Sequence, residues 1–258
     1  MAKQLFIYEK PVPLTARQHG DLCVRGGEDW RFAASINACP LMAGEFTLAA
    51  RAFPIVFTRS PEGEVLPVAI MGLRNGENAF VGEDGAWLGG FTPAFLKQYP
   101  FVLAAGEGTR LTLCIDETYA GCNREGRGER LFDADGQRTA YLETMFALTQ
   151  QVHQQFRATQ AFGARLDGLG LLQPMRAAFR AEDDRTEHLG GFHAVDRAKL
   201  GGLDGGVVAE LHREGVLEAI HAHLFSMGAF ANVSERLRHM SRDGSGGAAE
   251  AGAAEGTA

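Results

Sequence analysis

The chain has 258 residues, 45% hydrophobic and 22% charged. These are ordinary globular proportions, with length enough to bury a core without disulfide or metal staples. A net charge of −7 and the lack of any cluster of five Lys/Arg residues argue against a nucleic-acid binder, which needs a basic face. No stretch approaches the roughly 18 apolar residues of a membrane span, and the apolar run in residues 1–10 is too short for an export signal.

In chain order, the first 40 residues read as irregular, with Pro11-Val12-Pro13-Leu14 extended because each proline biases its predecessor away from helix. Trp30 and Phe32 are expected core anchors. Ala43 to Ala52 reads as a helix, with Phe46, Ala49, Ala50 and Phe53 at helical spacing and Pro54 ending it. Ile55–Thr58 and Leu66–Leu73 read as strands around the turn Ser60-Pro61-Glu62-Gly63, and Asn75-Gly76 turns the chain toward a third strand at Ala79-Phe80-Val81. Glu83-Asp84-Gly85 is the next turn.

A similar unit follows. Thr92 and Pro93 open a short helix that gives way to Tyr99-Pro100 and the strand Phe101-Val102-Leu103. The earlier unit ends in the same manner, at Phe53-Pro54 and Ile55-Val56-Phe57. Leu111–Ile115 is a strand, and Gly121 to Gly136 is a polar, glycine-rich loop. Tyr141, Met145, Leu148, Val152 and Phe156 then fall on one stripe of a long amphipathic helix, and a second helical piece is expected from Gln160 to Leu172. Met175–Ala181 and Glu187–Val195 read as strands. Asp204–Arg213 and Val216–Arg238 read as helices separated at Gly215.

Strands in the first half and longer helices in the second make the fold class α+β: an antiparallel meander-type sheet from the N-terminal half, packed with helices from the C-terminal half. Residues 1–240 form one expected domain. Residues 241–258 lack large apolar side chains and form an expected disordered tail rich in Gly, Ala and Glu.

The residues suited to chemistry are few. Asp116 and Glu117 end a strand before a glycine-rich loop, where carboxylates can serve as acid and base or cap a turn. His19, in the irregular N-terminal part, and Glu45, in a first helical turn that the helix dipole favours for an acid, complete the candidate catalytic set. His221 and His223 lie two apart on a helix, a rotation of about 200° that sends the rings to opposite sides. His188 and His193 sit on opposite faces of a strand unless Gly190-Gly191 makes a bulge. Cys39 has no base beside it in sequence. Cys23, Cys39, Cys114 and Cys122 show no metal spacing and read as free thiols, as in a reducing cytoplasm. No phosphate loop, dinucleotide fingerprint, H-E-x-x-H or G-x-S-x-G motif occurs, so no cofactor and no metal is expected.

Several segments, taken in order over roughly residues 5 to 240, resemble the SapC family of bacterial proteins. They include Pro13-Leu14 with His19, Phe32-Ala33, Pro40-Leu41 with Glu45-Phe46, and Phe53-Pro54-Ile55-Val56-Phe57. Gly72-Leu73, Glu77-Asn78-Ala79-Phe80, Trp87, Pro93-Ala94-Phe95 and Tyr99-Pro100-Phe101 continue the pattern. Cys114-Ile115-Asp116-Glu117, Gly190-Gly191-Phe192 and Leu211-His212 complete it. The chain departs at Phe53, where such proteins commonly carry Tyr, and at Lys97-Gln98, where the pair is commonly more basic. The resemblance implies a link to surface-layer or outer-membrane protein handling and carries over no catalytic residue. A peptide-transporter permease shares the family's name, and the lack of a spanning stretch separates this chain from it. The expected role is that of a non-catalytic cytoplasmic accessory protein with a protein or peptide partner. The alternative is an enzyme acting on a small molecule or peptide through Asp116, Glu117, His19 and Glu45. The residues assign no oligomeric state.

Overall fold

The structure is a computed structural model and describes residues 7–27, 29–105, 111–180 and 185–240. The expected tail, residues 241–258, lies outside the described residues. The fold is α+β with antiparallel sheets, as the sequence pattern indicates.

The strands are β1 (Pro11–Pro13), β2 (Cys23–Val24), β3 (Ala38–Pro40), β4 (Ile55–Arg59), β5 (Val65–Ile70), β6 (Phe101–Ala105), β7 (Leu111–Asp116), β8 (Cys122–Asn123), β9 (Glu129–Arg130), β10 (Leu172–Arg180) and β11 (Thr186–Val195). They form one five-stranded sheet, β10-β11-β4-β5-β3, and two three-stranded sheets, β1-β7-β6 and β8-β2-β9. The helices are α1 (Ala16–His19), α2 (Phe46–Ala49), α3 (Ala94–Lys97), α4 (Ala140–Gly168), α5 (Arg197–Gly201), α6 (Gly205–Arg213) and α7 (Val216–Ser226). Residues 229–240 form a last helix.

The two short units found in the sequence are alike in space. Each is a single helical turn, an aromatic-proline pair and a strand: α2 and Phe53-Pro54 lead to β4, and α3 and Tyr99-Pro100 lead to β6. The proline supplies no N–H and cannot continue the helix, so each turn stops where the strand must start. The helix expected over Ala43–Ala52 is shorter than its apolar spacing suggests, a 3-10 turn at Ala43–Glu45 followed by α2.

Three local expectations are corrected. Phe80 and Val81 are buried but form no strand; Val81 makes a lone bridge to Trp87. The Asn78 side chain accepts from the Phe80 N–H at 2.9 Å, taking a donor that a strand ladder would use. The loop at 121–136 contains β8 and β9, which pair on either side of β2. Finally, α4 runs unbroken for 29 residues, absorbing the first part of the helical piece expected at Gln160–Leu172. Gly163 is not a break but a contact: a Cβ there would lie 2.1 Å from the Val65 carbonyl oxygen. Glycine lets the long helix approach β5 that closely.

The main core joins β4, β5, α4 and α7 through Phe46, Phe53, Ile55, Phe57, Phe162 and Ile220. A second cluster, with Phe101, Leu103, Leu113, Ile115, Leu131 and Leu142, fills the space between β6-β7 and the start of α4. Trp30 and Phe32, expected as core anchors, are only partly buried and pack against the core's edge.

Candidate functional site

The end of β7 is built by strand alternation. Leu113 and Ile115 face the second cluster, Cys114 faces the main core, and Asp116 closes the strand with no exposed surface. β1 lies alongside, with Pro11 opposite Asp116. β1 is an edge strand, where a proline without an N–H is tolerated.

The Asp116 carboxylate accepts from the backbone N–H of Glu9 at 2.7 Å, of Lys10 at 3.2 Å and of Thr118 at 3.1 Å, and from the Thr118 hydroxyl at 2.7 Å. It therefore fastens the incoming N-terminal segment and the outgoing turn to one point. Glu117, beside it, is partly exposed and accepts from Lys10 Nζ at 2.9 Å. That hydrogen bond holds the Glu117 carboxyl below the usual carboxylate range and raises the Lys10 ammonium.

His19 is buried at the end of α1. Its Nδ1 lies 3.2 Å from both the N–H and the carbonyl oxygen of Thr15. Its Nε2 lies 3.4 Å from Glu117 Oε1, near but not aligned as a hydrogen bond. Asp116, Glu117 and His19 thus share one end of the β1-β7-β6 sheet.

Glu45 makes no contact with them. Its Oε2 accepts from the Met42 N–H at 3.0 Å, and its Oε1 accepts from the Ala94 N–H at 2.8 Å. One carboxylate thereby caps the starts of both repeated units. Burial pushes its pKa up, against the pull of those two N–H donors. Glu45→Ala is expected to cost about 1–2 kcal/mol, the worth of lost N-terminal capping, read as a lowered midpoint in thermal unfolding. Glu45→Gln should recover part of it.

Above the end of β7 opens a cleft of about 720 Å³ lined by Glu9, Arg25, Phe32, Tyr99, Thr118 and Tyr119, among others. Phe32 and Tyr99 stack at 4.4 Å, and Tyr119 stands edge-on to both, at 6.1 and 5.2 Å. The Tyr119 hydroxyl donates to the Arg25 carbonyl oxygen at 3.0 Å. Burial, with the Asp116 charge second, raises the Tyr99 phenol far above its ordinary value. The rim carries Arg31, whose guanidinium donates to Asp29 at 2.8 Å and to the Asp84 carbonyl oxygen at 2.7 Å. None of the four candidate acids and histidines lines this cleft, although Thr118 and Tyr119 directly follow Asp116-Glu117. Sequence reasoning missed it because its walls come from five separate stretches of the chain.

The histidines of α7 and β11 and the cysteines take structural positions. His223 is fully buried while His221 is exposed, as helical phase requires. Gly190-Gly191 does form a bulge, with the register shifting across from Met175 and Ala177. Leu189 and Phe192 consequently pack against the same Val56–Val68–Ile70 cluster despite their odd separation, which puts His188 and His193 on the same opposite face. Among the described residues no group of three or more His, Cys, Asp or Glu side chains could hold a metal ion. All four cysteines are free thiols. Burial pushes the Cys39 thiol well up, making it a poor nucleophile.

A family model described as SapC matches residues 14–233 of the chain. No curated protein matches it, and neither does any solved structure. Among the described residues no helix is long and apolar enough to cross a membrane.

Proposed function

The chain belongs to the SapC family, and from that premise we propose that it is a non-catalytic cytoplasmic accessory protein that holds a protein or peptide partner, one destined for the cell surface or outer membrane. The carrying observation is how the candidate acids are spent. Asp116 and Glu45 direct their carboxylates at main-chain N–H groups, which leaves them capping the fold. Beside them lies an open cleft walled by aromatic rings and rimmed by charges of both signs. Partly exposed aromatic side chains with a charged rim suit a polypeptide segment, since rings supply contact area at small entropic cost. Four unpaired thiols agree with a reducing compartment.

The test is affinity capture from the native bacterium with mass spectrometry, using the wild type and Ala120→Trp. Ala120 is exposed and lines the cleft, so the indole fills it without disturbing the core. The wild type is expected to recover a surface-layer or outer-membrane protein, and the variant to lose it. Equal recovery by both would move the binding face elsewhere. Recovery of no surface or outer-membrane protein by the wild type would remove the reading.

A second reading, an enzyme, is favoured by one observation: Asp116, Glu117 and His19 do meet at one sheet end. In that reading Glu117 exchanges a proton with a substrate lying over Lys10, and the buried His19 positions the carboxylate from behind. A turnover found with any peptide or small molecule and abolished by Glu117→Gln would establish it. Retention of that turnover in the variant would exclude these residues.

A further inference from the structure

A separate cavity lies between β3 and β5 of the large sheet, α3 and β6 of the second repeated unit, and the middle of α4. Sixteen residues line a space of only about 50 Å³. Many walls around little volume describe a thin slot rather than a round hole. Its sides are apolar, with Leu41, Leu66, Phe95, Val102 and Phe156 among them. Two buried polar side chains, Thr149 and Gln98, face it together with His153. Thr149 and His153 stand four apart on α4 and therefore share one patch of its surface.

The hydrogen-bond inventory of this patch is incomplete. His153 Nδ1 is buried and has no partner. The Thr149 hydroxyl spends its proton on the Phe146 carbonyl oxygen at 2.8 Å and keeps its lone pairs. Thr159, also in the lining, is saturated: its hydroxyl donates to Gln155 and accepts from Ala43. A buried polar atom left unpaired is costly, and a suitable occupant removes that cost. One water needs ~10–15 Å³, so the slot takes a row of about four such groups.

We infer that this slot is a binding site for a small neutral amphiphile. Its body is an unbranched chain of about three to four carbons, and its head is one hydroxyl or amide group placed to meet His153. An imidazole nitrogen donates or accepts according to tautomer, so His153 can meet such a head in either sense. A carboxylate head is disfavoured. It can only accept, it would face the Thr149 lone pairs, and no Lys or Arg lines the slot to offset its buried charge.

The experiment is a titration of the ¹⁵N-labelled full chain with 1-butanol, and in parallel with butanoate, followed by amide shifts. Expected is saturable binding of the alcohol, with the shifts centred on residues 149–159 and 95–103, and binding of butanoate weaker by about tenfold or more. His153→Phe keeps the volume but removes the polar partner, and should weaken 1-butanol by about tenfold, the loss of one hydrogen bond. Leu66→Trp places bulk at a partly exposed lining position and should abolish binding while the rest of the spectrum stays folded. Non-saturable shifts, shifts centred elsewhere, butanoate binding as tightly as 1-butanol, or unchanged affinity in both folded variants would overturn the assignment.

Discussion

Replacing Asp116 by alanine is expected to lower the stability of the fold by about 2–4 kcal/mol, the cost of leaving part-buried main-chain donors without the acceptor they share. The carboxylate accepts four hydrogen bonds, three of them from main-chain N–H groups. A methyl group satisfies none of them. The penalty falls on two segments at once, because Glu9 and Lys10 lead into β1 while Thr118 leads out of β7. Asp116→Asn keeps the shape but turns an NH2 group toward donors, so its cost should fall between those of the wild type and Asp116→Ala. Urea unfolding with a fixed slope measures the difference. A change below about 1 kcal/mol for Asp116→Ala would mean that water replaces the carboxylate at all three N–H groups.

His223 is expected to make the fold sensitive to acid. Its Nε2 accepts from the Val195 N–H at 3.0 Å, and its Nδ1 lies 2.7 Å from the Ile55 carbonyl oxygen, so Nδ1 carries the proton and the ring is neutral. Burial, the main cause, lowers its pKa from 6.5 to about 4. The unfolded chain therefore takes up a proton at higher pH than the folded one. The stabilisation is complete above pH 6.5 and is lost as pH falls from 6.5 toward 4, amounting to about 3 kcal/mol over that window. His223→Leu removes both hydrogen bonds and should cost about 2–4 kcal/mol at pH 7, leaving a buried N–H and a buried carbonyl unpaired. The variant's penalty should shrink as the medium is acidified, because the wild type alone loses the His223 contribution. Denaturation curves of the two proteins from pH 7 to pH 4 check both claims. A penalty that stays constant across that range would mean that His223 titrates alike in the folded and unfolded chains.

These two residues also mark how far local sequence reaches. The spacing of His221 and His223 on a helix is enough to send the two rings to opposite sides, because two residues turn the helix by about 200°; which ring is buried is decided by what packs there. It says nothing of Val195 and Ile55, which receive the buried ring from 28 and 168 residues away. Asp116-Glu117 likewise stands out as a carboxylate pair at a strand end. Its partners Glu9 and Lys10 lie more than 100 residues earlier. Glu45 reads locally as a first-turn acid, and it is one for Met42. Its second bond, to Ala94, joins two units that resemble each other without any sign in the sequence that they touch.

The glycines follow the same division. Gly163 in a helical pattern weakens the expectation of a continuous helix, since its intrinsic cost is about 1 kcal/mol against alanine. Only the packed structure shows the Val65 carbonyl oxygen that leaves no room for a Cβ. Gly190-Gly191 allows a bulge without requiring one, and the bulge that forms overturns the opposite-face reading of His188 and His193. Its result, the turning of Phe192 onto the Val56–Val68–Ile70 cluster, depends on the partner strands.

By itself, then, the sequence determined the α+β class, most strands and helices, the opposite directions of His221 and His223 and the resemblance to SapC proteins. Each of these is carried by periods of two or 3.6 residues, by proline and glycine chemistry, or by short segments in fixed order. Tertiary structure alone decided that Asp116 and Glu45 serve as caps, that Phe32, Tyr99 and Tyr119 wall one cleft, and that His153, with one buried ring nitrogen unpartnered, lines an apolar slot. Those facts rest on contacts between distant segments. Such contacts are selected by how whole sheets and helices bury their apolar faces, and no local pattern encodes which distant donor a carboxylate will meet.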